Sequence, residues 1–210
     1  MNPLVLYTNP QSRGRIAHWM LEEIGLSYET VWLDYGASMK AADYLAINPM
    51  GKVPALRHGD AVVTEAAAIC AYLADCFPAK NLIPPPAHAS RAPYYRWLFF
   101  AAGPLEAAVT AKALGWQVPA GKGVIAGFGS YPKTLDALQT APTPGPYICG
   151  EQFTAADVYV GSSLAWGLLF GSIEARPIFT AYAERLRARP AAQQADRINE
   201  AFFAAQQALS

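Results

Sequence analysis

The sequence predicts an α/β unit followed by an all-α one, and three observations predict it. The first eighty residues alternate short apolar runs with segments of helical period, the rhythm of strands joined by helical crossovers. The prolines Pro84-Pro85-Pro86 then resist both helix and strand. Beyond them the chain is rich in Ala and Leu and keeps a helical period with no convincing strand. Residues 1–78 are therefore expected as one domain, 79–90 as a Pro-rich linker and 91–210 as an all-helical domain.

Residues 2–7 read as an apolar strand. Residues 12–25 read as a helix, with Ile16, Met20 and Ile24 on one face and Gly25 as its stop. Val31 and Trp32 mark a second strand at 28–33. A weaker helical pattern at 38–47 ends in Asn48-Pro49. Short strands at 54–57 and 61–63 flank His58-Gly59-Asp60, a hairpin signal. A helix follows at 65–77 and stops before Pro78. The order β-α-β-α-β-β-α implies a mixed sheet with helices on its faces. After the linker, helices are expected at 91–112, 124–140, 155–170, 178–188 and 191–209, with Pro104 and Pro132 bending or interrupting two of them.

Composition narrows function. A chain that is 53% hydrophobic and 15% charged can bury a sizeable core and is not disordered. Its formal net charge is zero and it has no basic stripe, which argues against nucleic acid. No apolar run reaches membrane-spanning length and the N-terminus does not read as a signal peptide, so no membrane partner is expected. The cysteines, Cys70, Cys76 and Cys149, are odd in number and form no CxxC, which suits a reducing, cytoplasmic setting. His18, His58 and His88 are scattered without ligand spacing, so no metal is expected.

Three early segments carry the chemistry. Tyr7-Thr8-Asn9-Pro10-Gln11-Ser12 takes the chain from a strand through a turn into a helix. It sets the Ser12 hydroxyl beside free backbone N–H groups at the positive end of a helix dipole. Such a place holds anions, a thiolate among them, although a simple helix cap accounts for Ser12 as well. Arg13 and Arg15 follow in the first turn, where positive charge opposes the dipole. They raise the local potential, pair across a subunit interface, or are merely solvated. The second segment is Asn48-Pro49-Met50-Gly51-Lys52-Val53-Pro54, and the third is Thr64-Glu65-Ala66. Further on, Thr154 and Asp157 form a capping box, with Phe153 and Val158 as its hydrophobic staple; that motif is structural.

A Ser at the first strand–helix turn, Asn-Pro-x-Gly-x-Val-Pro, an acid opening the third helix and the T-x-x-D box together resemble the cytosolic glutathione S-transferases. The resemblance spans essentially the whole chain and is strongest to bacterial members with a serine near the start of the first helix. It implies a thioredoxin-like N-terminal domain that binds glutathione, and a helical C-terminal domain that contributes the electrophile pocket. The implied reaction is conjugation of the glutathione thiolate to a hydrophobic electrophile, with glutathione as co-substrate and no other cofactor. Ser12 becomes the hydrogen-bond donor to sulfur, with Tyr7 and Asn9 as alternative donors. Val53-Pro54 matches the family's cis-proline turn, with the Val53 backbone pairing to the cysteinyl part of glutathione and Lys52 meeting its glycyl carboxylate. Glu65 would bind the γ-glutamyl ammonium and the Ala66 N–H its carboxylate. Ala66 stands where the family usually has Ser, so one hydroxyl donor is missing. Tyr94, Trp97 and Trp116 are candidates to line the electrophile pocket, and the family's usual homodimer is the expected assembly. Two other functions fit the same residues: glutathione-dependent disulfide or peroxide reduction, and a non-catalytic binding module.

Overall fold

Leu4–Thr8 forms β1, buried at every residue, and in the computed structural model the first unit is laid against it. The structure describes residues 2–143 and 145–208. β2 (Glu29–Trp32) pairs parallel to β1, as a strand reached through a helical crossover must. That crossover is α1 (Gly14–Ile24), closed by Gly25 in the left-handed region at φ 67°. β3 (Ala55–His58) runs antiparallel to β1, and β4 (Ala61–Thr64) antiparallel to β3, so the sheet order is β2-β1-β3-β4.

Side chains alternate across the sheet. Val5 and Tyr7 face one side, where they pack with Leu33, Met39, Tyr44 and Ala55 under α2 (Ala42–Leu45) and the 3-10 turn Ser38–Lys40. Leu4, Leu6 and Thr8 face the other side, toward α1 and α3 (Ala66–Cys76), which pack on each other. The register aligns Val31, Tyr7, Ala55 and Thr64 in one row across all four strands.

The first unit also includes the end of the chain: Met1–Lys80 groups with Ala188–Ser210, and Asn81–Arg187 forms the second unit. The helix α9 (Pro190–Gln207) lies along α1. Its small residues Ala192 and Ala195 are buried, and polar pairs tie it to α1. Arg189 forks onto Glu23 at 2.7 and 2.8 Å, and Phe202 stacks on Trp32 with ring centres 4.0 Å apart. The span 91–210, expected as one helical domain, thus divides after Arg187. Long-range partners, invisible to local periodicity, decide where α9 goes.

The second unit is helical: α4 (Arg91–Phe100), α5 (Glu106–Ala113), α6 (Tyr131–Leu138), α7 (Ala155–Leu169) and α8 (Pro177–Arg187). Pro104, which has no N–H to give, sits in a wide π-type turn, Ala101–Leu105, between α4 and α5. The helix expected from 124 starts only at Tyr131. Gly127 and Gly129 weaken helix before it, Gly129 takes φ 66°, and Ser130 is extended, so Pro132 falls in the first turn, where proline is tolerated. α7 is buried throughout its first two turns, and side chains at Gly161 and Gly167 would collide with Leu186 and Ile173. Its capping box is formed. Asp157, fully buried, accepts from the Thr154 N–H at 2.8 Å and hydroxyl at 3.0 Å, from the Ile148 N–H at 2.8 Å and from the Tyr182 hydroxyl at 2.7 Å.

Candidate functional site

The row Tyr7–Ala55–Thr64 brings the three early segments together. Asn9–Arg13 leaves β1 just past Tyr7, Val53-Pro54 enters β3 just before Ala55, and Glu65 leaves β4 just after Thr64. All three lie at one end of the sheet, beside the N-termini of α1 and α3.

The turn into α1 is held from within. Asn9, buried, donates from Nδ2 to the Leu33 carbonyl at 2.7 Å and accepts the Gln11 N–H on Oδ1 at 2.9 Å. Its side chain therefore braces the turn against the end of β2. Ser12 Oγ donates to the Asn9 carbonyl at 2.7 Å and accepts the Gly14 N–H at 3.0 Å, so the hydroxyl satisfies the first N–H of α1 although Arg13 holds the N-cap position. α1 itself begins at Gly14, two residues later than the pattern predicts. Gly14 is required by contact: a side-chain carbon there would overlap Thr8 Oγ1. Arg15 pairs within the chain, with Asp196 at 3.1 Å and Glu200 at 2.6 Å on α9, and reaches the Pro10 carbonyl at 3.4 Å. The α9 carboxylates thus offset the charge that opposes the α1 dipole.

Tyr7 sits in the core on the α2 side, its ring 5.7 Å from that of Tyr44. Ser12 is half-buried and more accessible than Tyr7 or Asn9, which are both buried.

The second segment is held by its own Asn48 and by two side chains outside its motif, Tyr44 and Lys40. Tyr44 and Asn48 both donate to the Lys52 carbonyl, at 2.6 and 2.7 Å. Lys40 Nζ donates to the Met50 and Gly51 carbonyls at 3.1 and 2.8 Å. Gly51 takes φ 57° with the Met39 carbonyl close behind it, which leaves no room for a side chain. Burial pushes the Tyr44 phenol up to about 12, so it stays a donor at neutral pH. The Val53–Pro54 peptide is cis. Among the described residues, neither the N–H nor the C=O of Val53 has a hydrogen-bond partner, and the Lys52 ammonium is exposed.

Glu65 is the strained residue of the site. It adopts φ 67°, ψ 119°, a region L-residues avoid, and immediately precedes α3. Its carboxylate is exposed and makes no side-chain cap. Ala66 opens α3, whose first N–H groups have no partner inside the helix.

The aromatic candidates separate. Tyr94 and Trp97 are buried in the helical unit, Tyr94 edge-on to Tyr95 and Trp97 beside Phe100. Trp116 is 66% exposed and lines an open apolar cleft of about 320 Å³ with Val118, Pro119, Ile125 and Phe128. Among the cysteines, burial raises the Cys70 thiol well above its usual range and the Cys149 thiol to about 11. Cys76 is exposed, but it closes the far end of α3, about 15 Å along the helix from Ala66. Among the described residues no His, Cys, Asp or Glu cluster has the makings of a metal site, and no helix is long and apolar enough to cross a membrane.

The four-stranded mixed sheet, with the Ser turn, the cis Val-Pro loop and the strained acid gathered at one of its ends, is a thioredoxin-like domain, and it is followed by helices. Residues 2–75 match the N-terminal domain family of glutathione S-transferases. The chain is 33% identical to glutathione S-transferase 3 of Zea mays over 209 residues, covering 92% of this chain and 93% of that one. It superposes on a solved glutathione transferase of Methylococcus capsulatus with a TM-score of 0.78 at 32% identity, covering 94% and 98% of the two chains. A glutathione transferase homologue of Sulfitobacter, solved with bound glutathione, is similar at a TM-score of 0.71 and 28% identity, with 92% and 97% covered. This chain belongs to the glutathione S-transferase family.

Proposed function

We propose that this protein conjugates the thiolate of glutathione to a hydrophobic electrophile, with Ser12 as the hydrogen-bond donor to sulfur. The observation that carries it is the strand register that gathers Ser12, Val53 and Glu65 at one end of the sheet. Each segment offers what one part of the tripeptide needs. The unpartnered Val53 backbone can pair with the cysteinyl residue as an added strand. The exposed Glu65 carboxylate can take the γ-glutamyl ammonium, and the Ala66 N–H its carboxylate. Lys52 can take the glycyl carboxylate. The cysteinyl sulfur then falls to the turn before α1, where Ser12 and the helix dipole favour the anion over the thiol. Ser12 acts as a donor and not as a base, because a serine hydroxyl does not ionise at neutral pH. The cleft bordered by Trp116 is a place for an apolar electrophile in the helical unit. A homodimer in the cytoplasm, of the bacterial serine type, completes the reading; free cysteines agree with a reducing compartment.

The test is calorimetry with glutathione, then turnover on a generic aryl halide and on a mixed disulfide. Conjugation of the halide supports the proposal. Disulfide reduction alone transfers the same site to a reductase, and binding without either activity leaves a binding module.

A further inference from the structure

We propose that the Thr8 hydroxyl is a positioning group for Ser12, an inference that rests on Ser12 as the donor to the glutathione sulfur. Thr8 Oγ1 is fully buried and, among the described residues, has no hydrogen-bond partner. Buried hydroxyls are nearly always paired, so an orphan asks for a reason. Thr8 stands on the α1 face of β1, against Gly14. Its oxygen lies 1.8 Å from the point where a side-chain carbon of residue 14 would sit, and Ser12 Oγ lies 3.0 Å from that point. Two hydroxyls therefore flank one glycine with no side chain between them.

In this arrangement Ser12 gives its hydrogen to the Asn9 carbonyl and accepts from the Gly14 N–H. To serve a sulfur anion, that hydrogen must turn away from Asn9. A hydroxyl donates more strongly when its own oxygen accepts from a second hydroxyl, because chained hydrogen bonds polarise one another. Thr8 is the neighbouring hydroxyl whose hydrogen is uncommitted. The chain Thr8 O–H to Ser12 Oγ–H to sulfur gives the orphan a partner and strengthens the bond to the ionised form. No proton leaves Thr8 or Ser12. Were Thr8 there only to fill space, valine would serve as well, since it has the same shape and no orphan oxygen.

Thr8→Val therefore separates the two roles, read by ultraviolet titration of the thiolate of bound glutathione. The bound thiol should titrate higher by about half a unit or more, and kcat at neutral pH should fall roughly threefold or more. KM for glutathione should hold, and the melting temperature should hold or rise, because a buried unpaired oxygen has gone. Thr8→Ser should restore the titration. A wild-type thiol pKa in Thr8→Val, beside a raised one in Ser12→Ala, overturns the proposal and leaves Ser12 standing. A wild-type thiol pKa in Ser12→Ala overturns the role of Ser12 and this proposal with it. Should the valine variant not fold, Thr8→Ala is titrated instead, with the same two outcomes.

Discussion

His18 Nδ1 donates to Asn199 Oδ1 at 3.2 Å, joining α1 to α9 across a sequence separation of 181 residues. The direction of the bond follows from its neighbour. Asn199 gives its amide hydrogen to the Ala195 carbonyl at 2.7 Å, so its oxygen faces the ring. Nε2 is then the acceptor and faces the Thr30 hydroxyl at 3.3 Å. The ring also lies against Tyr28 and Trp32, and it is fully buried. This pair makes the neutral imidazole part of the fold.

Acid should therefore loosen the first unit. Burial lowers the His18 pKa from 6.5 to about 4, the charge of Arg15 adds to the effect, and the bond to Asn199 opposes it. Between those values the unfolded chain holds a proton that the folded chain refuses. The contribution of neutral His18 is complete above pH 6.5 and is lost as the pH falls toward 4, by up to about 3 kcal/mol. Denaturant midpoints at a series of pH values should decline across this window, and His18→Asn should flatten the decline. A decline of equal slope in the variant would assign the acid sensitivity to other groups.

Asp157→Ala should be among the most damaging single changes in the helical unit. A cap alone is worth about 0.5–2 kcal/mol. Here the carboxylate also satisfies a backbone N–H and the Tyr182 hydroxyl, both buried, and their loss raises the expected cost to about 3 kcal/mol or more. The shift of the unfolding midpoint measures it, while glutathione affinity of the folded protein should be unchanged.

Glu65→Gly should move stability and binding in opposite directions. Glycine, which has no Cβ, bears the positive φ with less strain, so stability should rise by up to about 1 kcal/mol and the melting temperature with it. The lost carboxylate should weaken glutathione binding by roughly ten- to a hundredfold. Calorimetry showing wild-type affinity would place the γ-glutamyl group elsewhere.

Ser12→Ala should raise the pKa of the bound glutathione thiol by about one unit and lower turnover at neutral pH by roughly tenfold, with affinity little changed. Tyr7→Phe should show neither effect, since Tyr7 packs against Tyr44 in the core. A shift in Tyr7→Phe alone would make Tyr7 the donor. No shift in either would pass the role to Asn9 or to the turn's backbone.

What the sequence made legible was local. Thr154 and Asp157 lie three residues apart, and Val53-Pro54 is adjacent, so their pattern is complete within a short window. Strand and helix periods likewise lie inside single elements. Three features were out of reach for physical reasons. The home of α9 depends on His18, Arg15 and Glu23 meeting Asn199, Asp196, Glu200 and Arg189, which no window contains. The strain at Glu65 is a property of the backbone and leaves no mark on residue type. The importance of Gly14 could have been suspected from a glycine set between two arginines at a helix start, but its reason, the approach of Thr8, is a tertiary contact.

The return of α9 to the first unit has a consequence for synthesis. The ribosome delivers β1, α1 and the rest of the sheet more than a hundred residues before the helix that covers His18. Through that interval the α1 face waits uncovered while the intervening helical unit is made, an apolar and polar surface open to chaperones or to the wrong partner. The first unit is thus begun first and completed last, and a ribosome stalled before residue 190 would present it without its closing helix.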